Sequence, residues 1–287
     1  MTFSIVACDL EAQPSPEWGV AVASKFLAVG SCVGWARAGV GAIATQALAN
    51  VAYGPDGLHM LRAGGSAAEV VERLTQKDDG RVHRQVGVVD AAGRAASYTG
   101  SACFDWAGGV VGEGFCCQGN ILTAPEVVDE MSSAFTSSDG ELARRLLAAL
   151  VAGDARGGDR RGRQSAALLV VRKGGGYDGG NDIAVDLRVD DHGTPIPELR
   201  RIFDLHRLFM PRPEDLEFVP VDDRLAGELR SLLDLAPGPY DEMVKEALRE
   251  YVGTENLEER WSEAHEIERG ILEHLRGSRA TKAPGAS

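Results

Sequence analysis

Positive charge is scarce in this 287-residue sequence. Its 30 Lys and Arg residues stand against 43 Asp and Glu, which gives a formal net charge of −13. Phosphate binding needs a basic face, so this balance argues against a nucleic-acid partner. No run approaches the roughly 18 apolar residues needed to cross a bilayer, and the first residues do not resemble a signal peptide. We therefore expect no membrane segment and a cytoplasmic location.

Cysteine is also scarce, and its spacing shows no pairing. The five residues are an odd number and none forms a C-x-x-C pair, which argues against a disulfide framework or a zinc knuckle. Free cysteine is among the most buried residue types, so we interpret all five as small core residues. They are Cys8, Cys32, Cys103, Cys116 and Cys117. The sequence predicts no cofactor.

What is present is the 44% hydrophobic content of a protein with a real core. Apolar and β-branched runs predict nine strands, at 2–8, 18–24, 29–36, 40–45, 84–90, 94–99, 109–117, 165–172 and 183–189. Helical periodicity predicts two pairs of helices between them. In the first pair, Ser66 followed by Glu69 has the spacing of a capping box. In the second pair, one helix opens at Pro125 and the other stops at Gly153.

The order of these elements indicates the fold class. Four strands, two helices, three strands, two helices and two strands form blocks, which is typical of antiparallel sheets with segregated helices. We predict an α+β protein whose residues 1–213 form a four-layer α-β-β-α sandwich. Open sheets with Gly-rich strands are also compatible with a homodimer.

A second domain is predicted beyond the Pro-rich segment at 211–213. Residues 214–287 carry 18 acidic and 9 basic side chains, a net −9, and three amphipathic runs predict a small acidic helical domain over 214–276. The remaining residues, 277–287, are predicted to be a disordered tail.

Thr2 is the residue with the most chemistry. Removal of Met1 is expected before a small side chain, and it would leave Thr2 with a free α-amine at the start of a strand. An α-amine, with an unperturbed pKa of about 8, can take the hydroxyl proton, so nucleophile and base share one residue. Lys25 ends the second strand of the same hairpin, where a buried ammonium would favour the alkoxide. The alternative is a solvated lysine.

Other polar residues suggest how a substrate could be held. Amides close to strand ends suit hydrogen bonding to an amide or an oxyanion, or equally a buried turn; they are Gln46, Asn50, Gln118 and Asn120. Arg163 and Gln164 belong to a Gly- and Arg-rich loop that could bind a substrate carboxylate, although such arginines are often solvated. The loop lacks the order of a phosphate-binding loop.

Asp190, Asp191 and His192 form the remaining cluster. Two carboxylates and an imidazole are ligand types for a divalent metal. Consecutive strand residues point to opposite faces, however, so we favour a structural or substrate-orienting cluster paired with Arg188 or Arg163, and no metal site.

Eight short segments carry a resemblance to a known family, at 2–7, 19–26, 44–46, 84–90, 118–120, 157–159, 163–168 and 186–192. Together they resemble a bacterial family of uncharacterised domains assigned to the Ntn-hydrolase superfamily, over residues 2–210. The resemblance implies an Ntn-hydrolase-like sandwich with Thr2 as nucleophile and general base. Lys25 is similar in placement to the lysine beside the nucleophile in proteasome-type members, and Asp9 would hold it by an ion pair.

The C-terminal part has a resemblance of its own. Residues 219–222 and 256–261 resemble the small helical domain that often follows in this family and has been proposed to bind peptidoglycan. The acidity of 214–287 counts against direct attraction to an anionic glycan polymer.

Three functions are therefore expected, in this order. The first is an amidohydrolase that cleaves a small amide or peptide with Thr2. The second is a catalytically inactive protein of the same fold that recognises cell-wall peptides through its C-terminal helices. The third is a metal-dependent hydrolase built on Asp190, Asp191 and His192.

Overall fold

The structure, a computed structural model, describes residues 2–282. It divides into two compact units, Met1–Ile202 and Phe203–Ser287. The division falls within a helix rather than at Pro213, where the sequence placed it. Within residues 2–282, no helix combines the length and the apolar character that a membrane span requires.

Two antiparallel sheets form the centre of the first unit. The six-stranded sheet has the order β10-β9-β2-β1-β8-β7. Its strands are β1 (Thr2–Asp9), β2 (Glu17–Ser24), β7 (Gly108–Gly112), β8 (Phe115–Asn120), β9 (Ser165–Arg172) and β10 (Ile183–Val189). The four-stranded sheet has the order of its strands β3 (Gly34–Arg37), β4 (Gly41–Ala47), β5 (Arg84–Asp90) and β6 (Ala95–Thr99).

Helices cover the outer face of each sheet. Helices α1 (Tyr53–Arg62) and α2 (Ala67–Gln76) pack on the four-stranded sheet, while α3 (Glu126–Ser137) and α4 (Leu142–Ala155) pack on the six-stranded sheet. The two sheets face each other through β1, β4, β5 and β8. The predicted α+β class and the four-layer sandwich are thus confirmed.

Strand β1 shows why the centre is a sandwich. It is buried on both faces along almost its whole length, because successive side chains alternate between the helices and the second sheet. Phe3 reaches Gly153 of α4, whereas Val6 and Cys8 join the apolar layer between the sheets. Thr2 and Ser4 lie on that same inner face, so the inter-sheet layer becomes polar at this end.

The predicted capping box of α2 is confirmed. Ser66 accepts a hydrogen bond from the Glu69 backbone N–H at 3.3 Å, and the Glu69 carboxylate accepts one from the Ser66 N–H at 2.8 Å. These two bonds satisfy donors that a helix start otherwise leaves unpaired.

Three predicted boundaries are wrong. The predicted strand at 29–36 begins as a short 3-10 turn, Val29–Ser31, because the Val29 N–H is held by Ser165 Oγ at 3.1 Å, and only Gly34–Arg37 pairs as a strand. The predicted strand at 109–117 is the β7–β8 hairpin, whose turn contains Gly114 at φ +75°, a conformation that favours glycine. Helix α5, Pro195–Phe209, was not predicted.

The second unit has its own small core. Its elements are β11 (Phe218–Pro220), α6 (Asp223–Leu232), α7 (Glu242–Thr254), β12 (Glu266–Glu268) and α8 (Arg269–Lys282). Apolar residues from all three helices pack together, among them Leu229, Leu248 and Ile271, so the three predicted helices are confirmed. The β11–β12 pair was not predicted, and residues 277–282 are helical rather than a tail. The rest of that predicted tail, 283–287, lies outside the described residues.

All five cysteines are free, and three of them are core residues as expected. Burial raises the pKa of the Cys116 thiol to about 12 and that of Cys8 to about 11. Cys32 and Cys103 are only half-buried. Cys32 becomes relevant below because it lies at a cavity.

Candidate active site

The polar end of the inter-sheet layer is a cluster of hydroxyl and amide side chains, each at most 4% exposed. Strand pairing assembles it. Thr2 lies opposite Asn120 and Ser4 opposite Gln118 across β1 and β8, while Gln46 lies opposite Gln85 across β4 and β5. We call this the amide cluster; its members are Thr2, Ser4, Ser24, Gln46, Gln85, Gln118 and Asn120.

Thr2 is held at both its hydroxyl and its carbonyl. Its Oγ1 lies 3.1 Å from Ser24 Oγ at the end of β2, and its carbonyl accepts a hydrogen bond from Gln46 Nε2 at 3.4 Å. Because both partners are themselves buried, the position of the Thr2 hydroxyl is set by the packing of the two sheets.

Gln46 links the two sheets. Its Oε1 accepts from Ser4 Oγ at 2.7 Å, and its Nε2 donates to Gln85 Oε1 at 2.7 Å and to the Gln118 carbonyl at 3.3 Å. With the Thr2 carbonyl as a further acceptor, the amide of Gln46 is fully used. It therefore serves to position Thr2.

Gln85 extends the network away from Thr2. Its Nε2 donates to Thr99 Oγ1 at 2.9 Å and to the carbonyls of Gly108 and Gly119 at 3.1 and 2.8 Å. Its Oε1 accepts from Gln46 and, at 3.0 Å, from Asn120 Nδ2. Gln85 thus connects β5 and β6 with β7 and β8.

The glycine at position 87 makes room for this cluster. Gln118 donates from Nε2 to Ser4 Oγ at 2.6 Å, and its Oε1 lies over Gly87, where an added Cβ would come within 2.2 Å of it. Any larger residue at 87 would displace the Gln118 side chain, and with it the hydrogen bond to Ser4.

A cavity of about 440 Å³ adjoins the amide cluster at Thr2 and Gln46. Its walls are mostly apolar and come from two segments, one that follows β2 and one that follows β4. Among the lining residues are Phe26, Val29, Cys32, Val33, Leu48 and Val51. A nucleophilic hydroxyl therefore lies at the side of a cavity large enough for a small organic group.

Asp78 anchors the wall segment at 47–51. It accepts hydrogen bonds from Arg84 Nε at 2.9 Å, Tyr53 Oη at 2.9 Å and Asn50 Nδ2 at 3.2 Å, and Arg84 also donates to the Leu48 carbonyl. The Arg84 guanidinium and these further donors hold the pKa of Asp78 well below its usual range. Burial, reinforced by Asp78, raises the pKa of Tyr53.

Asp78→Asn should lower the free energy of unfolding by about 2 kcal/mol at neutral pH, because it weakens hydrogen bonds to a charged acceptor. A lowered folded-state pKa stabilises the fold above the unfolded value of about 3.9 and ceases to do so as the pH falls through the folded value. The deficit of the variant should therefore shrink as the pH is lowered below about 4. Denaturant titrations across this range check it, with the exposed neighbour Asp79→Asn as control. Equal deficits for both variants would contradict the assignment.

The predicted roles of Lys25 and Asp9 need correction. Lys25 is exposed, and its backbone N–H donates to Asp159 Oδ2 at 2.9 Å, so it is not a buried ammonium beside Thr2. Asp9 forms an ion pair with Arg145 at 3.4 Å. It cannot reach Lys25 because it pairs with Glu17, at the opposite end of the β1–β2 hairpin from Ser24.

Asp190, Asp191 and His192 do not converge. All three are exposed, and the His192 Nδ1 accepts a hydrogen bond from the Thr194 N–H at 3.0 Å. Arg188 pairs with Asp186 rather than with Asp190. Among residues 2–282, no three His, Cys, Asp or Glu side chains are arranged to hold a metal ion, so the geometry contradicts the metal-dependent hydrolase.

Three further candidates lie apart from the amide cluster. Arg163 pairs with Asp154 at 2.7 Å, which raises the pKa of its guanidinium, and Gln164 donates to Asp191 at 3.2 Å. Asn50 holds the cavity wall through Asp78 instead of facing Thr2. These side chains stabilise loops.

Sequence reasoning missed Ser4, Ser24 and Gln85. The period-2 alternation of a strand places Ser4 on the same face as Thr2, and the hairpin places Ser24 beside it, so both were accessible from the sequence. Gln85 became recognisable only once the pairing of β5 with β4 was known.

Family models match two parts of the chain. Residues 2–199 match a family described as a family of unknown function, DUF1028, and residues 212–275 match a domain described as "Putative peptidoglycan binding domain". No curated protein matches the chain.

One solved structure is similar over most of the chain. It is the crystal structure of a protein from Silicibacter pomeroyi that matches the same DUF1028 model. The two sequences are 34% identical, the similarity covers 72% of this chain and 89% of that one, and the TM-score is 0.64. On both comparisons, the chain belongs to the DUF1028 family.

Proposed function

We propose that this protein is an amidohydrolase of the Ntn-hydrolase superfamily, with Thr2 as the N-terminal nucleophile and small amides or peptides as substrates. The observation that carries the proposal is the position of Thr2. Its hydroxyl lies at an apolar cavity, while buried Ser24 and Gln46 hold it in place. The four-layer sandwich and the sequence resemblance to that superfamily also support it.

The chemistry requires that cleavage of the chain immediately before Thr2 has released its α-amine. Thr2 Oγ1 then passes its proton to that amine and bonds to the substrate's acyl carbon, which forms a tetrahedral oxyanion. Collapse of this intermediate breaks the C–N bond, and the α-ammonium returns the proton to the leaving amine. Water, deprotonated by the α-amine, attacks the resulting ester, breaks the bond to Oγ1 and releases the acid.

Two neighbours of Thr2 receive roles in this scheme. Ser24, whose hydroxyl lies 3.1 Å from Oγ1, orients the nucleophile, in place of the support first expected from Lys25. Asn120, opposite Thr2 in the sheet, is the amide that we assign to the oxyanion. It donates one hydrogen bond, to Gln85, and an amide NH₂ group has two N–H bonds to offer.

Intact-mass spectrometry with a β-lactone acylating probe tests the proposal. We expect a mature chain that starts at Thr2 and gains one probe adduct, because the freed amine activates the adjacent hydroxyl. Peptide sequencing should locate the adduct on Thr2. A chain in which a residue remains joined to the Thr2 nitrogen, or which takes no adduct, would exclude this mechanism.

The second candidate is a binding protein that recognises cell-wall peptides without catalysis. The match of residues 212–275 to the peptidoglycan-binding description favours it. Absence of the adduct together with saturable binding of muropeptides to the full chain would favour this function over hydrolysis.

A further inference from the structure

The cavity beside Thr2 offers few polar contacts to a ligand. Arg84 is the one charged side chain that lines it, and Arg84 is already committed to Asp78 at 2.9 Å and to the Leu48 carbonyl. The amide of Gln46 is likewise used by four protein partners. Neither side chain is therefore available to pair with a carboxylate or an ammonium group of a substrate.

The rim of the cavity exposes large apolar side chains. Phe26, Leu48 and Val51 are 55%, 57% and 50% exposed, and all three line the cavity. A group that covers them removes apolar surface from water, which is favourable. A charged group placed there would lose hydration without gaining a partner.

From these two observations we propose that the cavity binds the acyl part of the substrate and that this part is an uncharged aliphatic or aromatic group. This inference rests on the proposed function, because it names the substrate class of the same site: N-acyl amides with a hydrophobic acyl group. The acyl part is the one that stays bonded to Thr2 Oγ1 until water releases it, so it is the part that the walls around Thr2 contact in both chemical steps.

A homologous series of N-acyl aminocoumarins tests the substrate class, with acyl groups from acetyl to octanoyl and with succinyl and glutaryl as charged counterparts. Binding to the full-length Thr2→Ala variant is measured by calorimetry and turnover by the wild type is measured by fluorescence. Each added methylene should tighten binding by about fourfold until the cavity is full, which is the effect expected of about 0.8 kcal/mol per buried CH₂. The charged amides should bind more weakly than neutral ones of equal length.

Two rim variants provide the matched comparison. Leu48→Asp changes a lining side chain, and Leu27→Asp changes one that is equally exposed, at 57%, but does not line the cavity. We expect Leu48→Asp to weaken binding of the octanoyl amide at least about tenfold relative to the acetyl amide, because it puts a charge where the chain lies. Leu27→Asp should leave the ratio unchanged.

The two readouts separate the inference from the proposed function. A flat affinity series, a preference for the charged amides, affinity that follows the amine instead of the acyl group, or equal effects of the two rim variants would overturn the inference. Graded binding without turnover by a wild type that starts at Thr2 would support the inference about the cavity while contradicting hydrolysis.

Discussion

Thr2→Ala should reduce kcat/KM for an acyl-aminocoumarin substrate at least about a hundredfold, because the variant keeps the α-amine and the cavity but lacks the attacking oxygen. The loss should appear mainly in kcat, since Thr2 contributes only part of the cavity wall. Steady-state kinetics on purified protein with a verified N-terminus measures it.

Thr2→Ser is the matched control for that experiment. Serine keeps both the hydroxyl beside Ser24 and the α-amine, so activity within about tenfold of wild type is expected. Circular dichroism should show that both variants are folded. If Thr2→Ala retained wild-type turnover, the hydrolytic reaction would have to use another group and Thr2 could not be the nucleophile.

Gln85→Leu should lower the free energy of unfolding of the first unit by about 3 kcal/mol. Gln85 is fully buried and makes five hydrogen bonds of 2.7–3.1 Å. Leucine fills a similar volume but leaves the Gly119 carbonyl and the amides of Gln46 and Asn120 without this partner, and unsatisfied buried polar groups are costly. Denaturant unfolding followed by tryptophan fluorescence reports on this unit, which contains Trp18, Trp35 and Trp106.

Gln76→Leu makes the same chemical change at an exposed site. Gln76 lies at the end of α2 and donates one hydrogen bond, to Glu72 at 2.7 Å, so its loss should cost less than about 0.5 kcal/mol. A Gln85→Leu variant no less stable than Gln76→Leu would show that the amide cluster does not hold the sheets together.

Much of the fold was predictable because local chemistry and tertiary structure agree. The β1–β2 hairpin follows from apolar runs around Pro14 and Pro16, and the start of α2 follows from the Ser66–Glu69 capping box, which depends on neighbours in sequence. The 3-10 turn at Val29 was not predictable, since it depends on Ser165, a residue far away in sequence. Helix α5 was missed because its segment, with Pro195 and Pro197 at the start, does not look helical by composition.

The candidate site divides in the same way. Thr2, Gln46, Gln118 and Asn120 were proposed from strand-end position, and strand pairing brings all four together. Asp9 was attached to Lys25 only by its place near a strand end. An antiparallel hairpin puts the last residue of its first strand at the opposite end from the last residue of its second, so a register argument excludes that pair.

The central place of β1 in the six-stranded sheet has a further consequence. Residues near a terminus commonly fray and sample many orientations, yet β1 is hydrogen-bonded on both edges, to β2 and to β8, from its first residues. A reactive group on such a strand inherits the rigidity of the sheet. Its direction of attack is then decided when the protein folds, so that an arriving ligand does not have to supply the free energy of immobilising it.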